Sequence, residues 1–207
     1  MKKLLAIFLA LMLFPISANA ATMLQDVDSG SYYANAVIWS IESGVATGTS
    51  DTTFSPDVQC TRAQVVTFLY RYSGSPAVTA SKSFADVAPG SYYYDAVSWA
   101  VEKNITVGTS ANMFSPDATC TRAQIVTFLY RGFGNNENSA DNGYSDVPEY
   151  ARNAVNWAAS HGIKSGIDNG LFGSNNPCTR AQAITFLYRY NNLAEGKIPA
   201  YSGSPYT

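Results

Sequence analysis

The chain repeats itself. Trp39, Trp99 and Trp157 stand 60 and then 58 residues apart, and Cys60, Cys120 and Cys178 keep the same spacing. A period of this size makes each copy one supersecondary unit that must bury its apolar face against neighbouring copies, so the repeat decides the architecture before any helix is assigned. The copies occupy 21–74, 84–134 and 144–190. The linkers 75–83 and 135–143 are poor in large apolar residues, and 191–207, without periodicity, reads as a loose tail.

Each copy opens on Asp-Val: Asp26-Val27, Asp86-Val87 and Asp146-Val147. The third copy lacks two residues in the Gly-Ser-Tyr stretch that follows, and an insertion or deletion marks a loop. Next, Tyr32, Ala36 and Trp39 in the first copy, and Tyr92, Ala96 and Trp99 in the second, fall on one stripe at helical spacing. Gly44 and its neighbours end that helix. A long loop follows, carrying Gly48, Gly108 and Gly166, then Phe54, Phe114 and Phe172. Phe54-Ser55-Pro56-Asp57 recurs as Phe114-Ser115-Pro116-Asp117, whereas the third copy reads Phe172-Gly173-Ser174-Asn175.

The second helix of each copy begins at a Ser/Thr-x-x-Glu/Gln capping box: Thr61 with Gln64, Thr121 with Gln124, Thr179 with Gln182. Cys60 then stands at N′ and Val65 at N4, the two places of a hydrophobic staple, which gives the cysteine a packing role as a small apolar plug. Val65, Phe68, Leu69 and Tyr72 follow at i, i+3, i+4 and i+7 and form a core face. The expected class is all-α, two helices and a long loop per copy.

With 46% hydrophobic and 14% charged residues the chain has enough apolar material for a core. Its net charge of −2 excludes a nucleic-acid-binding surface. Met1 to Ala20 has the layout of a secretory signal: Lys2 and Lys3, the apolar run Leu4 to Phe14, then Ala18-Asn19-Ala20. That run is shorter than the ~20 residues of a membrane span, so a secreted protein with no span after cleavage is expected. One cysteine per copy at the same place speaks against a disulfide framework and lacks the paired spacing of a zinc site. Three free thiols, no metal and no cofactor are expected.

A unit with Asp-Val, an aromatic stretch, Ala-Val-x-Trp, a glycine-containing loop, Phe-x-Pro and then Thr-Arg-Ala-Gln-x-x-x-Phe-Leu resembles the S-layer homology family, over about residues 24 to 190 in three consecutive copies. The resemblance implies three helix-loop-helix repeats in a pseudo-threefold bundle. Grooves between units would bind secondary cell-wall polysaccharide, often pyruvylated, and so hold the protein at the cell wall. The family's signature arginine maps onto Arg62, Arg122 and Arg180, and Gln64, Gln124 and Gln182 replace the family's glutamate beside it.

An arginine at N1 stands where open backbone amides and the helix dipole favour an anion, and its guanidinium suits a carboxylate. These arginines, with Gln64, Gln124 and Gln182, are the candidate carbohydrate contacts. The competing reading is that they pair with Asp57, Asp117 or another loop carboxylate. Tyr33, Tyr93 and Tyr94 are candidates for a groove rim, while the tryptophans, on a helix stripe, read as core more readily than as sugar platforms. His161, the single histidine, reads as a surface residue at a helix C-terminus. No carboxylate pair or Cys-His pair stands on a non-repeat domain, so an enzyme is not expected. The alternative to a wall anchor is an assembly protein whose repeats bind other surface proteins.

Overall fold

The computed structural model describes residues 24–79, 82–134, 138–167 and 170–197. The expected signal segment lies outside them. Six α-helices occur among these residues: α1 (Ala34–Glu42), α2 (Arg62–Tyr72), α3 (Tyr94–Glu102), α4 (Arg122–Phe133), α5 (Arg152–Ser160) and α6 (Arg180–Ala194). No strand is present among the described residues, only isolated bridges, so the class is all-α. In the third copy, shortened by two residues, the chain enters α5 through a single 3-10 turn, Glu149–Ala151.

All three capping boxes form. Gln64 N–H donates to Thr61 Oγ1 (3.3 Å) and Thr61 N–H to Gln64 Oε1 (3.1 Å), with the same pair of bonds at Thr121/Gln124 and Thr179/Gln182. The first helices stop where the backbone turns left-handed, at Gly44 (φ 71°), Asn104 (φ 57°) and Gly162 (φ 67°). The last helix continues to Ala194, with Asn191 buried, past the point where the sequence pattern ends.

The sequence unit is not the packing unit. Helices α2, α4 and α6 pack on one another, and each first helix lies on the second helix of the preceding copy: α3 on α2, α5 on α4, and α1 on α6. One aromatic pair marks each of these contacts: Trp99 with Tyr70 at 5.7 Å, Trp157 with Tyr130 at 5.5 Å and Trp39 with Tyr188 at 5.5 Å between ring centroids. Trp99 and Trp157 are buried and Trp39 is half-buried against the same core, which makes the tryptophans packing residues.

The cysteines hold the centre. Cys60 N–H donates to the Cys178 carbonyl (2.8 Å), Cys120 N–H to the Cys60 carbonyl (2.9 Å) and Cys178 N–H to the Cys120 carbonyl (3.0 Å), a closed ring of main-chain bonds. Their side chains are fully buried, and all three thiols are free. Burial pushes the Cys120 and Cys178 thiols up to about 12 and raises Cys60 as well, so none is a thiolate at neutral pH. Among the described residues no group of His, Cys, Asp and Glu could hold a metal ion.

Between the inner helices an apolar recess is lined by Val65, Phe68, Leu69, Ile125, Leu129, Ala183, Phe186 and Leu187. Val65, Ile125 and Ala183 are the N4 residues of α2, α4 and α6, so the smallest of the three leaves the space. Ala183→Val should raise stability by about 1 kcal/mol, on the order of two buried methyl groups less the strain of insertion. The urea midpoint checks it, and a lower midpoint means that the recess does not accept the added volume.

Candidate functional site

The three candidate arginines occupy equivalent junctions between copies. Arg62 Nε donates to the Phe114 carbonyl (2.9 Å) and its Nη2 to Thr106 Oγ1 (3.3 Å). Arg122 Nε and Nη2 donate to the Phe172 carbonyl (3.1 and 2.7 Å), and Nη2 also to the Ser165 carbonyl (3.3 Å). Arg180 Nε donates to the Phe54 carbonyl (3.0 Å) and Nη2 to the Thr47 carbonyl (3.0 Å). Each guanidinium also lies over the ring of the phenylalanine it bonds, at 4.7–4.9 Å. Only 4–5% of each arginine is exposed. Burial lowers the pKa of Arg62 and Arg180, yet a guanidinium stays charged in proteins.

The amides that were expected to stand open at these helix starts are taken. Arg62 N–H donates to the Ala118 carbonyl (2.9 Å) and Ala63 N–H to Pro116 (3.0 Å). Arg122 and Ala123 donate likewise to Asn176 and Ser174, and Arg180 and Ala181 to Val58 and Pro56. With N-cap and N3 occupied by the capping box, the backbone offers an outside anion no free donor among its first four amides. For Arg62 and Arg180 the alternative of an ion pair with Asp57 or Asp117 is not formed either among the described residues.

The opposite side of the same loop is held by the opening aspartate of its own copy, for which the sequence suggested no role beyond its recurrence. Phe54 and Ser55 N–H donate to the two carboxylate oxygens of Asp26 (2.8 and 2.7 Å), Phe114 and Ser115 to Asp86 (2.9 and 2.7 Å), and Phe172 and Ser174 to Asp146 (2.7 and 2.8 Å). Burial works to raise the Asp146 pKa, but the amide bonds from Ser174, Phe172 and Gly173 outweigh it and hold the carboxyl below its ordinary value. The loop turns left-handed at Ser55 (φ 57°), Ser115 (φ 59°) and Gly173 (φ 74°). Glycine in the divergent third copy therefore keeps the same backbone path at lower conformational cost.

Around each junction the groups that reach solvent are different ones. Tyr32, Tyr92 and Tyr150 are 52, 62 and 54% exposed. Tyr33 and Tyr93, the expected rim residues, are half-buried against the core and meet Tyr32 and Tyr92 edge-on, with centroids 5.1 and 4.9 Å apart. Tyr94 begins α3 and also packs on the core. Tyr32 lies in electrostatic reach of Cys178 and Asp57, Tyr92 of Cys60 and Asp117, and Tyr150 faces the side chain of Thr121. Each exposed ring thus stands beside the second-helix start of the preceding copy. The recurrence of Tyr32 and Tyr92 in the sequence was a usable signal, but the two-residue deletion hides Tyr150 as their counterpart.

Gln64, Gln124 and Gln182 are half-buried; their Oε1 atoms serve the capping boxes, and the side-chain nitrogens have no hydrogen-bond partner among the described residues. Lys164 is a further group that the sequence did not flag. It is 7% exposed, and burial first, then Arg122 and Arg189, lower its pKa to about 7. His161 caps the end of α5, its Nδ1 2.9 Å from the Trp157 carbonyl.

Comparison with known proteins accounts for this plan. The family model described as the S-layer homology domain matches residues 25–66, 83–126 and 143–184, more than half of the chain. The chain is 28% identical to the surface-layer 125 kDa protein of Lysinibacillus sphaericus over 86% of its length and 16% of that protein's. It is 33% identical to a cell surface protein of Thermoanaerobacter kivui over 61% of its length and 18% of that protein's. It is 29% identical to an amylopullulanase of Thermoanaerobacterium thermosulfurigenes over 70% of its length and 8% of that enzyme's. The chain therefore spans less than a fifth of each of these relatives.

Replacing Arg62, Arg122 or Arg180 by Ala strands buried carbonyls without their charged donor, and each change should cost about 1.5–3 kcal/mol in chemical denaturation; an unchanged midpoint would show that the bonds carry no stability. Lys164 binds fewer protons folded than unfolded between pH 7 and the ordinary lysine range, so its penalty on folding is full below pH 7 and is relieved as pH rises through that window. Lys164→Thr, the residue of the second copy, should stabilise the protein at pH 6 and flatten the dependence between pH 7 and 10. Parallel curves for the two proteins rule this out. The three matched repeats, the expected aspartate, tryptophan and capping motifs in each, and the surface-layer relatives together assign this chain to the S-layer homology domain family and to the cell surface.

Proposed function

We propose that the chain anchors itself non-covalently by binding an anionic secondary cell-wall polysaccharide, with pyruvylated sugars as the preferred ligand. The observation that carries this reading is the threefold recurrence of one junction: an exposed tyrosine beside a capped helix start, with a glutamine amide whose nitrogen has no hydrogen-bond partner among the described residues. A repeating polymer can engage several such places on one chain, and simultaneous engagement raises avidity far above the affinity of one. The cyclic helix pairing and the ring of cysteine main-chain bonds support a pseudo-threefold arrangement, which would present the junctions at similar spacing.

Within this reading the arginines act at one remove. A guanidinium with 4–5% exposure, bonded to Phe54, Phe114 or Phe172, shapes the loop that lines the junction. Direct contacts then fall to the tyrosine faces, which stack on the apolar faces of pyranose rings, and to the glutamine nitrogens. The edge of the guanidinium reaches an acidic substituent only where the ligand enters deeply.

Relatives named as an amylopullulanase and an endoglucanase overlap this chain over 8 and 12% of their own length, so their catalytic names describe those whole proteins. We infer for this chain an anchoring role without catalysis. Purified mature protein should sediment with isolated Gram-positive-type walls and lose most of that binding when pyruvyl groups are removed. Complete recovery in the supernatant with every wall type overturns the anchor; binding that persists on walls stripped of polysaccharide points to a protein partner instead.

A further inference from the structure

The three junctions are built alike but not charged alike. Equivalent positions follow from the main-chain bonds. The N1 amides of α6, α2 and α4 bond the carbonyls of Val58, Ala118 and Asn176, so the residues just before these, Asp57, Asp117 and Asn175, occupy one place. The amides of Ala46, Thr106 and Lys164 bond the carbonyls of Ser40, Ala100 and Ala158, which makes these three a second equivalent set. The junction of the third copy with the second thus carries an amide where the others carry a carboxylate, and a lysine where they carry alanine or threonine.

Granted the polysaccharide reading, on which this inference rests, we infer that the junction formed by Arg122, Lys164, Asn175 and Tyr150 takes the acidic substituent, while those containing Asp57 and Asp117 take uncharged sugar residues. The argument is one of local sign. Asp57 and Asp117 are exposed and lie in reach of Tyr32 and Tyr92, beside Arg189 and Arg180 respectively, so a carboxylate stacked there meets a like charge that the third junction lacks. At the same place Asn175 offers both a donor and an acceptor and no charge. Lys164 lies within electrostatic reach of Arg122, so this junction carries a second basic group that the other two, with Ala46 and Thr106 in the same place, lack. Lys164 is buried, and with its pKa lowered to about 7 an anion at the junction favours its protonated form, whereas Asn175 is exposed and meets the ligand.

The test compares the wild-type mature chain with Asn175→Asp and with the double variant Asp57→Asn/Asp117→Asn, on isolated walls with pyruvyl groups intact and on the same walls after their removal. Folding is not at stake, because each substitution installs a residue that another copy already carries there; circular dichroism confirms it. Asn175→Asp should weaken binding to intact walls about tenfold, the effect of roughly 1.4 kcal/mol of added repulsion, and leave binding to stripped walls unchanged. The double variant should bind intact walls as well as or better than wild type. If wild type binds intact walls and Asn175→Asp matches it, or the double variant weakens binding, the choice of junction is wrong and the anchor reading stands. If wild type binds neither preparation, the anchor reading fails and this inference with it.

Discussion

Everything in this fold passes through three carbonyl groups. The main chain at Phe54, Phe114 and Phe172 is held twice, its amide by the aspartate that opens the same copy and its carbonyl by the arginine of the copy before. Neither grip is a surface ion pair. Both are charge-assisted bonds from buried or half-buried groups to backbone, and such bonds are roughly twice as strong as neutral ones. Because each loop is pinned by a neighbour, no copy completes its own structure, and the first copy depends on the third through Arg180 and α6.

That mutual dependence gives the cysteines their meaning. A residue just before each helix cap must be small, apolar and able to pair its main chain with two other copies at the centre, and burial then keeps its thiol protonated. It also explains why the third loop can diverge in sequence without diverging in path. Gly173 adopts the left-handed turn that Ser55 and Ser115 adopt, and Ser174 takes over the carbonyl role of Pro56 and Pro116. What the divergence does change is charge, since Asn175 stands where the other copies keep an acid.

The readable parts of the site were those set by short-range rules. Capping boxes are decided within four residues, and the i, i+3, i+4 face of α2 within two turns, so Thr61, Gln64, Val65, Phe68 and Leu69 took their expected places. At the tyrosines the solvent-facing position lies one residue earlier than the sequence pattern suggested. Tyr33 and Tyr93 sit at the N-cap, where the chain turns inward, and their predecessors Tyr32 and Tyr92 point to solvent. A one-residue offset of this kind arises because helical periodicity does not hold before the first turn is formed. The amides at N1 and N2 were misjudged for another reason. Their partners, such as Ala118 and Pro116, lie more than fifty residues away, and no local pattern announces them.

The sequence by itself determined the number of copies, the helices and their caps, the core face of each second helix, and the family, because each of these rests on residue type and spacing within one unit. Only the tertiary structure decided which helix packs on which, that the signature arginines face inward, and that exposed tyrosines flank the junctions. Those outcomes depend on closure of the chain upon itself, where Arg180 bonds a carbonyl 126 positions earlier. A repeat spells out its unit in every copy; the contact that joins the last copy to the first is spelled out in none of them.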